Sequence, residues 1–399
     1  MCAGEKKILK NTAVPSVFVF RQPTASVRCS RRSRALYSEA SSSVVVCSSD
    51  TIAEISTIGA EVECLEQSTA DTAHTATQPV ESLPVSQTAE VQCQLITPQD
   101  CRLSVFHYVD NPDAIKYYTG FDNFDHFRLL FDVLGPAVTC LSYRGSALQP
   151  IDHLFLTLIK LRQAKDDFEL SLMFKICKTT VAAIVNTWIN FLYFQLKEIN
   201  TWPSRSVVQQ HMPDNFGNLF GQTRVILDAT EIPIAKPTNV NAQSSTFSTY
   251  KNRNTLKTMV GCTPRGLVSF IGDSYGGSAS DRQLIERSPL YLNPHMFEPG
   301  DVIMADRGIM VQDLFACKDV SVNTPLMLKG RSQFEPHEIR RDRRIASKRI
   351  HIERVIGLSK TFKILKKELP SGKRILGSRI VFICFMLCNF RTAIVTKRA

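Results

Sequence analysis

Arg224-Val225-Ile226-Leu227-Asp228-Ala229-Thr230-Glu231 opens the part of the chain that reads as a sheet. Val302-Ile303-Met304-Ala305-Asp306-Arg307-Gly308 repeats its form 78 residues later, counting from Asp228 to Asp306. Each is a short apolar run with an acid behind it, which is the signature of a buried strand. Between them, Thr258–Cys262 and Leu267–Ile271 flank Thr263-Pro264-Arg265-Gly266, a hairpin signal. Ser278-Ala279-Ser280-Asp281 opens a predicted helix through Leu284, Ile285 and Leu290, and Pro325–Lys329 reads as a further strand. A long basic helix is predicted from about Pro336 to Ser359, with Glu353 inside it. Strands alternating with helices place this half of the chain in the α/β class.

Two strands therefore each deliver an aspartate, Asp228 and Asp306, at the C-terminal edge of a sheet, where sites in α/β proteins lie. A helix brings Glu353. Three acids converging on one point repel one another unless cations sit between them. Hard divalent cations take oxygen ligands, and a pair of them clamps an in-line phosphoryl displacement. Taken singly, each acid has an ordinary reading. Asp228 and Asp306 are turn formers or caps, Asp281 is a helix N-terminal acid, and Glu231 is a loop acid. Glu353 is the helical partner of Arg349, one turn earlier. Only the ordered set points to chemistry.

The chain has 399 residues, 44% hydrophobic and 21% charged, so it is not a collagen, a coiled-coil rod or a wholly disordered chain. Its 48 Lys and Arg against 37 Asp and Glu leave a net charge of +11, which favours a polyanionic partner. The charge is unevenly placed. Residues 1–34 hold eight basic residues and one acid, residues 35–101 hold ten acids with no Lys or Arg, and residues 102–399 carry 40 basic against 26 acidic side chains. Within the last part, residues 329–374 hold fifteen basic residues and five acids. Arg340, Arg341, Arg343, Arg344 and Arg349 crowd one helix there, a surface suited to a phosphodiester backbone. Residues 38–100 are rich in Ser, Thr, Ala and Glu and have no sustained period, so they read as a disordered linker. Residues 1–37 form a basic arm. Its cluster of Arg28, Arg31, Arg32 and Arg34 suits nuclear import, a mitochondrial transit peptide or simple solvation. The nucleus is the expected location, with cytoplasm and mitochondrion as alternatives. The twelve cysteines include no Cys-x-x-Cys pair and no His spaced to complete a zinc site, so reduced thiols are expected. Ile380–Leu387 is too short to span a bilayer, so no membrane partner is expected and the run reads as a buried helix.

From residue 101 to 200 the pattern is helical. Phe124, Phe127, Phe131 and Leu134 share one helical face, with Asp122 or Asn123 as its cap. Ile151, Leu154, Phe155, Leu158 and Ile159 form the next stripe. Asp166 with Glu169 makes a capping box for a short helix bearing Leu170, Met173 and Phe174. After a turn, Val181, Ile184, Val185, Trp188 and Leu192 line a third helix. Helix, short helix, turn, helix is the helix-turn-helix order. Lys178, Thr179 and Thr180 stand where a recognition helix meets DNA. A small bundle packing on a neighbour gives the same stripes.

Several blocks in sequence order resemble the Harbinger-type DDE superfamily endonucleases, cut-and-paste transposases and their domesticated relatives. They are Asp228–Ile232, Tyr250–Lys257, Gly277–Asp281, Ala305–Gly308 and Arg349–Gly357, within a resemblance that covers roughly residues 105–395. Tyr117–Gly120 and the helices at 148–195 resemble the region preceding the nuclease domain in members fused to THAP zinc fingers. Leu9-Lys10 followed by Ala13-Val14-Pro15-Ser16-Val17-Phe18 is similar to the closing box of a THAP domain, whose zinc-binding part would lie upstream.

The resemblance implies a ribonuclease-H-like nuclease domain at 221–395, preceded by the small all-α helix-turn-helix module and the disordered N-terminal region. It implies Asp228, Asp306 and Glu353 as catalytic metal ligands for Mg2+ or Mn2+, with Asp281 and Glu231 in support and Lys251 and Lys257 placing phosphates. The function it implies is metal-dependent cleavage or strand transfer on DNA by two metal ions. The alternative is a domesticated DNA- or chromatin-binding protein that keeps the fold without cutting. DNA is the expected partner; a second copy of the chain and a separate DNA-reading protein are left open.

Overall fold

Asn111 and Asn123 start the first two helices by accepting the N–H groups of Ala114 and His126. Each satisfies a donor that the first helical turn cannot pair internally. These helices are α1 (Pro112–Thr119) and α2 (Phe124–Val133), in a computed structural model that describes residues 102–141, 148–328 and 330–395. The arm at 1–37 and the linker at 38–100 lie outside the described residues. Of the two cap candidates before α2, Asn123 takes the role. Asp122 instead pairs with Lys116 at 3.3 Å and accepts from the backbone and hydroxyl of Thr392.

Helices α3 (Pro150–Gln163), α4 (Asp167–Phe174) and α5 (Lys178–Lys197) follow, as the apolar stripes require. Leu154, Phe155, Leu158, Leu170, Phe174, Val181, Ile184 and Trp188 are all fully buried. Phe155 is the hub: its ring lies 6.2 Å from Tyr108, 6.0 Å from Tyr118, 6.2 Å from Phe127 and 6.1 Å from Phe174. Tilted and edge-on aromatic pairs of this kind each contribute about 0.5–1.5 kcal/mol beyond their buried area. Asp166 caps α4 by accepting from Phe168 N–H, but Glu169 pairs with Lys165 and does not close the capping box. The turn into α5 passes through Lys175 in the left-handed region, φ 53°.

The sheet has strands β1 (Thr223–Pro233), β2 (Phe247–Ser248), β3 (Arg253–Cys262), β4 (Val268–Gly276), β5 (Val302–Ala305) and β6 (Ser321–Asn323). Strand β3 lies antiparallel to β1 and β4, while β5 runs parallel to β1 and β6 parallel to β5. Thus the long strands order as β4-β3-β1-β5-β6, with β2 against the start of β3. The expected hairpin joins β3 to β4, turning at Gly266 with φ +88°. Three elements depart from the sequence pattern. The strand expected at Pro325–Lys329 is displaced to β6, because Pro325 has no N–H for a ladder; residues 324–328 are irregular and Lys329 lies outside the described residues. The helix expected through Leu290 breaks into Asp281–Glu286 and Pro289–Leu292, the second restarting at Pro289. Strand β1 runs five residues beyond Asp228, because β3 keeps pairing with it as far as Pro233.

The long helix spans Pro336–Ser359, and the late apolar run forms the helix Gly377–Met386 with Ile380, Val381, Ile383, Cys384 and Phe385 buried. No helix of the described residues is long and apolar enough to cross a membrane. One hydrophobic cluster runs from Val105 through α3–α5 to Ile226, Ile232, Val260 and the two late helices. A second, with Val225, Leu227, Met259, Ile285 and Phe315, covers the other face of the sheet. The helical region and the sheet are further stitched by Lys363 on Gln163 and Lys373 on Asn186, both at 2.6 Å, and by the Tyr193–Phe382 ring pair at 5.1 Å.

Gly277 is held where no side chain fits. A Cβ there would lie 2.1 Å from Thr255 Oγ1 and 2.9 Å from Thr246 O. Gly277→Ala is expected to cost about 1–3 kcal/mol through overpacking. The check is a lowered urea midpoint with an unchanged m-value.

Candidate active site

Strands β1 and β5 are paired in parallel with Leu227 beside Ala305. Asp228 and Asp306 are the next residues on each chain, where neighbouring strands run roughly 4.7–4.9 Å apart. The pairing with β5 stops there, while β3 carries β1 onward. Asp228 therefore lies mid-strand yet at a local edge of the sheet. The strand lies where the strand–acid signal placed it, but Asp228 is not its last residue.

Strand alternation gives Asp228 the same face as Ile226, which packs in the cluster containing Ile345, Ile352 and Val355 of the long helix. Glu353 comes from that helix, so it stands on Asp228's side of the sheet. Its carboxylate is more than half exposed and lies 3.8 Å from Arg349, one turn earlier. Arg349 also reaches Asp306, at 3.0 Å. One nearly buried guanidinium therefore bridges two of the three expected acids. The expected pairing of Glu353 with Arg349 within the helix is present, and Arg349 rather than a cation is the group that Asp306 and Glu353 share.

Burial pushes the Asp228 carboxyl up to about 6, and the negative charges of Asp306 and Asp281 add to the rise. The Arg349 charge and a hydrogen bond from Ala229 N–H, at 2.8 Å, oppose it. Asp281 begins its helix behind Ser280, which forms a capping box with Gln283. Its carboxylate pairs with Lys257 at 2.7 Å. The charge of Asp281 thus reaches Asp228. Glu231 lies on β1, not in a loop, and accepts from Thr255 Oγ1 at 2.8 Å. Alternation turns it to the face opposite Asp228, beside its register partner Lys257. Lys257 therefore serves Asp281 and that face of the sheet.

Among the described residues, no group of three His, Cys, Asp or Glu side chains stands close enough to hold a metal ion. The donor set still suits a hard divalent cation. It consists of carboxylate oxygens around a half-buried aspartate whose ionisation its surroundings oppose, which is the condition an added cation relieves.

A cleft of about 580 Å³ opens beside Asp306. Arg307, Phe334, Asp342, Arg343 and Arg349 are among its lining residues. Arg340, Arg341, Arg343 and Arg344 are all exposed on the helix that forms its wall. Lys178 and Thr179 are exposed at the start of α5, and Thr180 is half-buried. Cys177 makes no side-chain cap there, so the first-turn N–H groups remain available to an acceptor. Lys360, at the end of the long helix, escaped the sequence reading. Burial lowers its pKa, the Lys251 charge lowers it further, and Asp228 and Glu231 pull it back up. Its only sequence signal is its position seven residues after Glu353, two turns along the same helix.

Residues 227–389 match the family described as DDE superfamily endonuclease, and residues 146–198 match the helix-turn-helix of DDE superfamily endonuclease. Their content and order support a DDE-type, transposase-derived family for this chain. No curated protein matches.

The raised pKa of Asp228 has a consequence for stability. Between about pH 4 and 6 the native carboxyl keeps a proton that the unfolded chain has lost. Its contribution is therefore fully present below pH 4 and is lost as pH rises through about 6. Asp228→Asn is expected to stabilise the protein above pH 6, by about 1–2 kcal/mol after allowance for partial exposure, and to be neutral below pH 4. Denaturant midpoints at the two pH values check this.

Proposed function

We propose that this protein is a divalent-metal-dependent DNA endonuclease of the DDE transposase class, on a ribonuclease-H-like fold. The observation that carries the proposal is the register of β1 and β5, which sets Asp228 beside Asp306 on the face that also receives Glu353. The strand order, with three antiparallel strands followed by two parallel ones on the far side of β1, suits that fold. The Harbinger branch, a THAP-derived arm and a nuclear location belong to the same proposal, on the blocks and the basic cluster of the sequence.

Asp228, Asp306 and Glu353 would hold Mg2+ or Mn2+, which when bound activates an attacking water or 3′-hydroxyl and stabilises the leaving oxygen. The chain's own residues do the rest. Asp228 must lose the proton that burial favours. Arg349, now shared by Asp306 and Glu353, must release their oxygens and is then free to meet a phosphate. The exposed arginines along the cleft wall neutralise the DNA backbone and carry little sequence information. The start of α5 supplies base or phosphate contacts in one groove. DNA is the partner; pairing with a second copy, or with a separate reading protein, would supply the extra specificity that one recognition helix lacks.

A second reading has its own support. Because Arg349 already screens two of the acids, the centre can persist without metal in a DNA- or chromatin-binding protein that does not cut. Nicking of supercoiled plasmid in Mg2+ or Mn2+ separates the two. Asp228→Ala, Asp306→Ala and Glu353→Ala are each expected to abolish nicking while leaving DNA affinity unchanged or higher, since each removes a negative charge facing phosphate. Cleavage that persists in chelator, or that survives two of these substitutions, rules out the mechanism.

Specificity is tested separately. Neutralising Arg340, Arg341, Arg343 and Arg344 is expected to weaken binding to all duplexes alike. The slope of log affinity against log salt should flatten by about 0.9 per lost phosphate contact. Replacing Lys178, Thr179 and Thr180 by Ala is expected instead to change sequence preference, as read by competition between duplexes.

A further inference from the structure

Between β1 and β3 the chain inserts the helix Val240–Thr246, the short strand β2 and a turn that carries Tyr250. Tyr250 is 82% exposed, an unusual position for an aromatic ring. The insert presents it rigidly. Lys251 N–H donates to Ser248 Oγ at 3.2 Å, and Asn252 takes φ 51° to close the turn. Behind it, the buried Asn254 amide donates to Gln243 O at 2.9 Å and Thr246 Oγ1 at 2.8 Å, and Ser278 Oγ donates to Ser245 O at 2.6 Å. The Lys251 ammonium lies 4.3 Å from the centroid of the Tyr250 ring.

The turn that carries Lys251 and Tyr250 leads into β3, which pairs with the part of β1 beyond Asp228 as far as Pro233. Lys251 and Lys360 are close enough for the charge of one to act on the other, and Lys360 in turn feels Asp228. Neither ammonium forms an ion pair with a carboxylate among the described residues. Lys251, with Tyr250 beside it at 4.3 Å, thus stands past the Pro233 end of the same strand that carries Asp228. A basic track that ends in an aromatic face is how single-stranded nucleic acid is held: phosphates follow the charge, and a base stacks on the ring. A fully paired duplex has no free base face to offer. A strand end beside the acids does, once its terminal pairs open.

We propose that Tyr250 is a stacking platform for an unpaired base of the DNA strand whose backbone passes Lys360 and Lys251 on its way from the carboxylate centre. This rests on the endonuclease reading for the identity of the ligand, but its test does not depend on cutting. The full chain, without divalent cations, is titrated with a blunt duplex and with the same duplex carrying a short single-stranded extension. The extension contains 2-aminopurine at successive positions.

The wild-type protein is expected to favour the extended duplex about tenfold, with quenching of the probe at one or two positions. Tyr250→Ala should lose both the preference and the quenching while binding the blunt duplex normally. Tyr250→Phe and Tyr250→Trp should retain both, because they keep the ring. A wild type without preference for the extension overturns the proposal. So does a Tyr250→Ala variant that retains it, or one that weakens both duplexes equally. If the preference is present and no nicking occurs in Mg2+ or Mn2+, the cutting function fails while the stacking site stands.

Discussion

The pairing of Leu227 with Ala305 organises the candidate site of this protein. A parallel register is decided by backbone hydrogen bonds along the whole of β5 and the matching part of β1, so it cannot slip without inverting both faces of the sheet. It sets Asp228 and Asp306 side by side and leaves β1 open beyond them. The burial that makes this register secure also makes Asp228 reluctant to ionise. Burial and ionisation are thus in opposition at one carboxyl group.

Arg349 is the provisional answer to that opposition. It pairs with Asp306 and Glu353 from within the long helix, and so holds the helix, the end of β5 and the acids in mutual position. A guanidinium can satisfy two carboxylates by direction and charge, but unlike a hard cation it cannot activate an oxygen. On the proposed reading, a reactive centre needs this side chain moved as well as the proton removed from Asp228. Arg343 of the same helix already lines the cleft beside Asp306, and Arg340, Arg341 and Arg344 are exposed near it on that helix.

The helical region is joined to the sheet by a common core and not by a swivelling link. Phe155 and Trp188 belong to the same cluster as Ile226 and Phe385, and Lys363, Lys373 and Tyr193 add polar and aromatic ties. The start of α5 is therefore held in a set relation to the acids. The insert between β1 and β3 is equally constrained, since Gly277 leaves room for nothing larger beside Thr246 and Thr255. An exposed ring on a rigid turn can act as a position marker, which an exposed ring on a loose one cannot.

Much of this was legible in residue order alone. The long helix has the bounds Pro336–Ser359 that its charge and periodicity predict, and the stripes of α3 and α5 and the run at 302–305 appear where expected. These features depend on neighbours within a turn or two, and local periodicity records them. Charge segregation and the identity of the acids are likewise written in the chain. The remainder was decided by partners far away in sequence. Strand β1 outlasts Asp228 because β3 is there to pair with it, and Glu231 leaves the loop it seemed to occupy for the same reason. Glu169 prefers Lys165 to its own helix start. Arg349 divides itself between Glu353, its helical neighbour, and Asp306, which only the packing of helix on sheet brings within reach. Sequence period names the face a residue occupies, but strand register and helix docking are global compromises among many contacts. Only the folded chain settles which acid meets which cation.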